Sequence, residues 1–168
     1  MKPLLSLLPI VGFLIIADSC SKEQIASAAV TNGAYLAGAK GLSRSWRLSS
    51  ATGSYNGGAV QPINYYECYL DNILTFTNND AQGYENLEGA TKCDFNDPQQ
   101  VEAGNWALTA DGKTLLVKAS SISGENFFSF VNAPITVTEL NNFSLKLSYS
   151  VTNGSDSYKR DFVFVKIN

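Results

Sequence analysis

The stretch Phe143-Ser144-Leu145-Lys146-Leu147-Ser148-Tyr149-Ser150-Val151 alternates apolar and polar residues without a break. Period two is the pattern of a strand with one buried face. Phe143, Leu145, Leu147, Tyr149 and Val151 are expected to face inward, with the serines and Lys146 outward. A slip of one residue would turn the whole apolar set to solvent, so the register is strongly specified. The turn-forming run Asn153-Gly154-Ser155-Asp156-Ser157 follows, and Tyr158–Ile167 reads as a closing strand.

Working back along the chain, the same period recurs in short segments. "SWRLSS" (45–50) opens the series, with Trp46 and Leu48 on one face. "LDNILTFTN" (70–78), "GYENLE" (83–88), "GNWALT" (104–109) and "KTLLVKA" (113–119) come next. Ala110-Asp111-Gly112 between the last two is a hairpin signal, because glycine tolerates positive φ. "NFFSFVN" (126–132) and "PITVTEL" (134–140) supply two more candidates, separated near Ala133-Pro134. No segment after Ser43 reads as helical. The expectation is an all-β domain over 44–168, an antiparallel up-and-down barrel of eight or nine strands. Closure into a barrel removes the exposed edges that would otherwise pair with other chains.

The front of the chain has a different character. Met1-Lys2-Pro3 precedes an apolar run from Leu4 to Ala17, too short for an ordinary membrane span and shaped like a secretory signal. It ends at Ala17-Asp18-Ser19-Cys20. This resembles the lipobox of bacterial lipoproteins, with a small residue before the cysteine; Ala17 and Asp18 depart from that pattern. The resemblance implies a signal peptide over 1–19 and a diacylglycerol group on the Cys20 thiol. It also implies a further acyl chain, typically palmitate, on the new amino terminus. Ser21, rather than Asp, follows the cysteine, which points to the outer membrane, on its periplasmic or cell-surface face. Residues 20–43 are rich in Ala, Gly and Ser and read as a tether, with a short helix in "KEQIASAA" (22–29).

With Cys20 lipidated, Cys68 and Cys93 remain, and an even number of cysteines in an exported chain reads as a disulfide. The net charge is −3, and Lys159-Arg160 are the only adjacent cations, which excludes a nucleic-acid partner. The chain contains no histidine, so Ser-His-Asp and Cys-His catalysis fall away together with the commonest zinc and haem ligands. Asp71, Glu85, Glu88 and Asp161 are scattered, and nothing in the sequence brings a catalytic pair together. Asp94, Asn96, Asp97 and Glu102 could offer oxygen ligands, but the segment reads as a turn. The expectation is therefore a protein that is not an enzyme, with no catalytic residues, metal site or cofactor.

From Ser45 onward, "SWRLSS", "CYLDNILTF", "TKCDFNDPQ", "GNWALTADGKTLLV" and "ITVTELNNFSLKLSY" occur in an order and spacing similar to the small lipocalin-like domains of Gram-negative lipoproteins. Arg44 stands where the lipocalin G-x-W pattern has its glycine. The resemblance implies an up-and-down barrel with Cys68 and Cys93 paired. Two functions follow as expectations. One is a lipid-anchored envelope protein that carries or receives a small hydrophobic ligand in the barrel. The other is a protein–protein interaction module or inhibitor built on a solid barrel. Tyr84, Trp106, Phe128 and Phe130 are candidate contacts inside the barrel. The long connection "YNGGAVQPINYY" places Tyr55, Tyr65 and Tyr66 as candidate contacts at a barrel mouth.

Overall fold

The computed structural model describes residues 27–122, 128 and 134–167. Nine strands run in chain order: β1 (Ser43–Tyr55), β2 (Gln61–Pro62), β3 (Ile73–Thr77), β4 (Gly83–Leu87), β5 (Gln100–Leu108), β6 (Thr114–Ile122), β7 (Ile135–Leu140), β8 (Ser144–Asn153) and β9 (Asp156–Ile167). The described residues also form two helices, α1 (Ala28–Ala37) ahead of β1 and α2 (Glu67–Leu70) between β2 and β3. Every strand pairs antiparallel with its neighbour, and β1 returns to pair with β9. The result is a closed up-and-down barrel of eight strands, the lipocalin-like arrangement, with β2 as a short ninth strand on the flank of β1. The expected strand over 126–132 lies outside the described residues, apart from Phe128.

The alternation of β8 holds over most of its length. Leu145 and Leu147 are fully buried, and Tyr149 is nearly so. Phe143 departs from expectation: it is 78% exposed. The β7–β8 turn, held by Asn141 Oδ1 accepting from the Phe143 and Ser144 amides, ends the ladder one residue too early to bring that ring inside. Ser148, expected outward, is buried as well.

One end of the barrel is sealed by α1. Ser27 caps the helix through Oγ to the Val30 amide (3.4 Å), and Gly38, at φ 88°, ends it. The helix lies further along the chain than the expected "KEQIASAA", whose residues before Ser27 are outside the described set. The stretch expected to be a tether is thus partly core, because Leu36 and Ala37 are fully buried. The fully buried Trp46 donates its indole N–H to Leu36 O at 2.8 Å, and Arg44 Nη1 donates to Tyr35 O at 2.6 Å. Arg44, in place of the lipocalin glycine, therefore ties β1 to the sealing helix. The Asp111-Gly112 hairpin forms as expected and sits against α1, where Asn32 Nδ2 donates to Gly112 O at 3.0 Å. Behind this seal, Phe76 and Trp106 pack edge to face at 6.1 Å.

The other end carries the longer connections, 56–72 and 88–99. A disulfide between Cys68 and Cys93 joins them. Cys68 belongs to α2, a single helical turn in a region expected to be non-helical.

Candidate functional site at the open end of the barrel

Beneath those connections lies a cavity of about 410 Å³. Its floor is set by the inward phase of three strands. On β9, Phe164, Phe162 and Arg160 share one face. They pair with Leu145, Leu147 and Tyr149 on β8, and with Leu48, Ala51 and Gly53 on β1. Gly53 has no side chain, which leaves room for Ile63 to lie against β1. A bulge between Leu48 and Ser50 keeps Ala51 in the inward phase. Phe164 is buried and Arg160 exposed, so the cavity runs from the core to the surface.

The opposite wall comes from β3 and β4. Leu74 and Asn86 are paired neighbours, and both are buried. Asn72, also buried, accepts the Gly89 amide through Oδ1 at 3.1 Å. The chain after β2 folds across the mouth, with the Ile63 amide bonded to Ala51 O at 2.9 Å. Tyr65 then packs its ring edge-on to Tyr69 at 6.0 Å, and Tyr66 lies 6.4 Å from Tyr69. Burial pushes the Tyr65 phenol above its ordinary value, and the Arg160 charge beside it pulls the other way. Tyr149 stacks on Phe162 at 5.8 Å.

The structure thus brings Tyr65 and Tyr66 to one site and separates them from the other candidates. Tyr55 sits at the end of β1, its hydroxyl donating to Asp156 Oδ1 at 2.7 Å and its ring 4.9 Å from Tyr158. Tyr84, Trp106 and Phe128 belong to the packed core and do not line the cavity. Trp106 donates its indole N–H to Thr77 O at 3.2 Å. The Tyr84 hydroxyl donates to Glu102 Oε1 at 3.0 Å, and the Phe128 amide donates to Glu102 Oε2 at 2.9 Å. Burial and the Glu102 charge drive the Tyr84 phenol far above its ordinary range. Phe130 and Cys20 lie outside the described residues.

Sequence reasoning did not assign Tyr69, Asn72, Asn86 or Arg160 to a site. For Arg160 the signal was there: it continues the inward phase of Phe164 and Phe162.

Asp94, Asn96 and Asp97 form a local turn, with the Asn96 amide donating to Asp94 Oδ1 at 2.8 Å, while Glu102 is enclosed among core groups. Among the described residues no set of three acidic or cysteine side chains is placed to hold a metal ion. Of the carboxylates scattered in sequence, Glu88 is subject to the charges of Asp97 and Asp71. Asp71 Oδ1 and Glu88 Oε2 are buried without a hydrogen-bond partner among the described residues. Burial first, then the charges of Asp97 and Asp71, push the Glu88 carboxyl above its usual range.

No protein-family model matches the chain, and no curated protein matches its sequence.

Proposed function

We propose that this is a lipid-anchored envelope protein that binds a small, largely apolar ligand in the open end of its barrel, without catalysing a reaction. The observation that carries the reading is the 410 Å³ cavity lined by Leu48, Leu74, Phe162 and Phe164. That volume is in the range of small-molecule sites, and an apolar lining with a few polar groups is their usual character. The anchor is acylated Cys20, supported by the lipobox resemblance, and the outer membrane is its place. Two or three acyl chains hold firmly, since each buried CH₂ contributes about 0.8 kcal/mol. Cys20→Ala is expected to leave the protein in the aqueous phase on detergent partitioning. Full partitioning of that variant would remove the anchor from the reading.

The binding test uses uncharged N-phenyl-1-naphthylamine, whose fluorescence rises on leaving water. One saturable site is expected, and it should be lost in Leu74→Trp, which fills the cavity. If the folded protein leaves the probe's fluorescence unchanged, the carrier reading fails. The second reading then takes its place: a protein-interaction module that uses Tyr66 and Phe95, exposed by 78% and 87% at the same end.

A further inference from the structure

We infer that the ligand of this cavity is an aromatic monoanion, such as an aryl carboxylate or sulfonate, with its charged group on Arg160 and its rings among the tyrosines; this rests on the carrier reading above. The first support is charge. Among the described residues Arg160 is the only charged side chain lining the cavity, and no carboxylate lines it. The acids nearest in sequence are engaged elsewhere: Asp161 pairs with Lys159 at 2.9 Å, and Asp156 accepts from Tyr55 and Asn56. Among the described residues Arg160 forms no ion pair. The neighbouring hollow of about 340 Å³, which Arg160 also borders, has no carboxylate in its wall among the described residues either.

The second support is position. Arg160 shares the inward phase of β9 with the two floor phenylalanines, and Gly53 and Tyr149 flank it across the sheet. Its guanidinium is thus set at the boundary between apolar floor and solvent, where it offers a planar fork of donors suited to a carboxylate or sulfonate. The Tyr65 hydroxyl beside it adds a neutral donor. The third support is the wall. Tyr65, Tyr66, Tyr69, Tyr149, Phe162 and Phe164 put six aromatic rings around one space. Aromatic faces and edges favour offset or edge-on contact with a further ring, which a flat ligand supplies better than a flexible chain.

Two probes sharing one ring skeleton separate this inference from the reading it rests on. N-phenyl-1-naphthylamine is neutral, and 1-anilinonaphthalene-8-sulfonate adds a sulfonate. With the full folded protein, both are expected to bind one site and to displace each other. The sulfonate should bind about tenfold more tightly, the scale of one charge-assisted hydrogen-bond pair. Arg160→Gln should remove that preference and leave the neutral probe within about twofold, while Arg160→Lys should keep most of the preference as a point charge. Because Arg160 is exposed, neither variant disturbs the core. Neutral-probe binding with no sulfonate preference would overturn the anion inference and leave the carrier reading intact. Equal weakening of both probes by Arg160→Gln, or sulfonate binding that does not displace the neutral probe, would do the same. Failure of the neutral probe to bind at all overturns both.

Discussion

Gly53 and Ile63 occupy one space: a Cβ built on Gly53 would lie 3.1 Å from Ile63 Cδ1 and 3.3 Å from the Lys159 carbonyl oxygen. The residue is small because the chain after β2 must lie down against β1 to cover the mouth. Gly53→Val is therefore expected to lift Ile63 off the barrel. It should lower stability by about 1–3 kcal/mol, the usual cost of overpacking, and weaken binding of the neutral naphthylamine probe. Urea unfolding and a probe titration check this together. Unchanged stability would mean that the cover is loose.

The buried face of β8 gives a second expectation. Leu147→Ala should cost about 2–5 kcal/mol, as core truncations do. Phe143→Ala should change stability by no more than about 0.5 kcal/mol, since its ring is exposed. Comparable losses at the two positions would contradict the β7–β8 turn as described.

The disulfide should support both stability and binding. It closes a loop with a sequence separation of 25, for which loop-closure entropy gives about 3–4 kcal/mol. Replacing Cys68 and Cys93 together by serine is expected to lower the unfolding midpoint accordingly. It should also weaken probe binding, because α2 carries Tyr69 into the cavity wall. Differential scanning calorimetry with and without probe measures each effect. Undiminished probe affinity in the folded double variant would show that Tyr69 is held without the bridge.

Glu88 predicts a pH dependence. Its folded-state carboxyl titrates above the ordinary glutamate value of 4.5, so the native protein holds this proton more tightly than the unfolded chain. The stabilisation is complete below the ordinary value and is lost as pH rises from there through the raised one. Glu88→Gln, which mimics the protonated form, should be more stable than the parent at neutral pH and should flatten that fall. Denaturant midpoints across pH 4–9 decide it, and parallel curves for the two proteins would assign the dependence to other groups.

The strand series was legible because each wall segment buries one face, and burial writes a period of two into the sequence. Turn chemistry found the Asp111-Gly112 hairpin, and cysteine parity together with the family resemblance found the Cys68–Cys93 pairing. Reading by period failed where side chains answer to packing across the sequence. Helix α1 buries mostly small residues, Gly33 and Ala37 beside Leu36, so it carries little amphipathic signal and looked like a linker. The single turn of α2 is too short to leave a pattern. Trp106 and Tyr84 resembled ligand contacts because aromatic type alone does not say which end of a barrel a ring occupies. Register across strands decides that, and it placed the two rings in the core and Arg160 at the mouth.

The pairing of β1 with β9 joins the first and last strands of the barrel, from Ser45↔Ile167 to Tyr55↔Tyr158. Contacts so distant in sequence bear a large loop-closure cost before they contribute anything, which slows folding. Until β9 arrives, β1 and β8 both present unpaired edges, the state most open to aggregation. Phe162, Phe164 and Arg160 all lie on that late strand. A folding chain thus acquires its cavity in the same step that closes its wall, so anything bound there can stabilise only the finished barrel and none of its precursors.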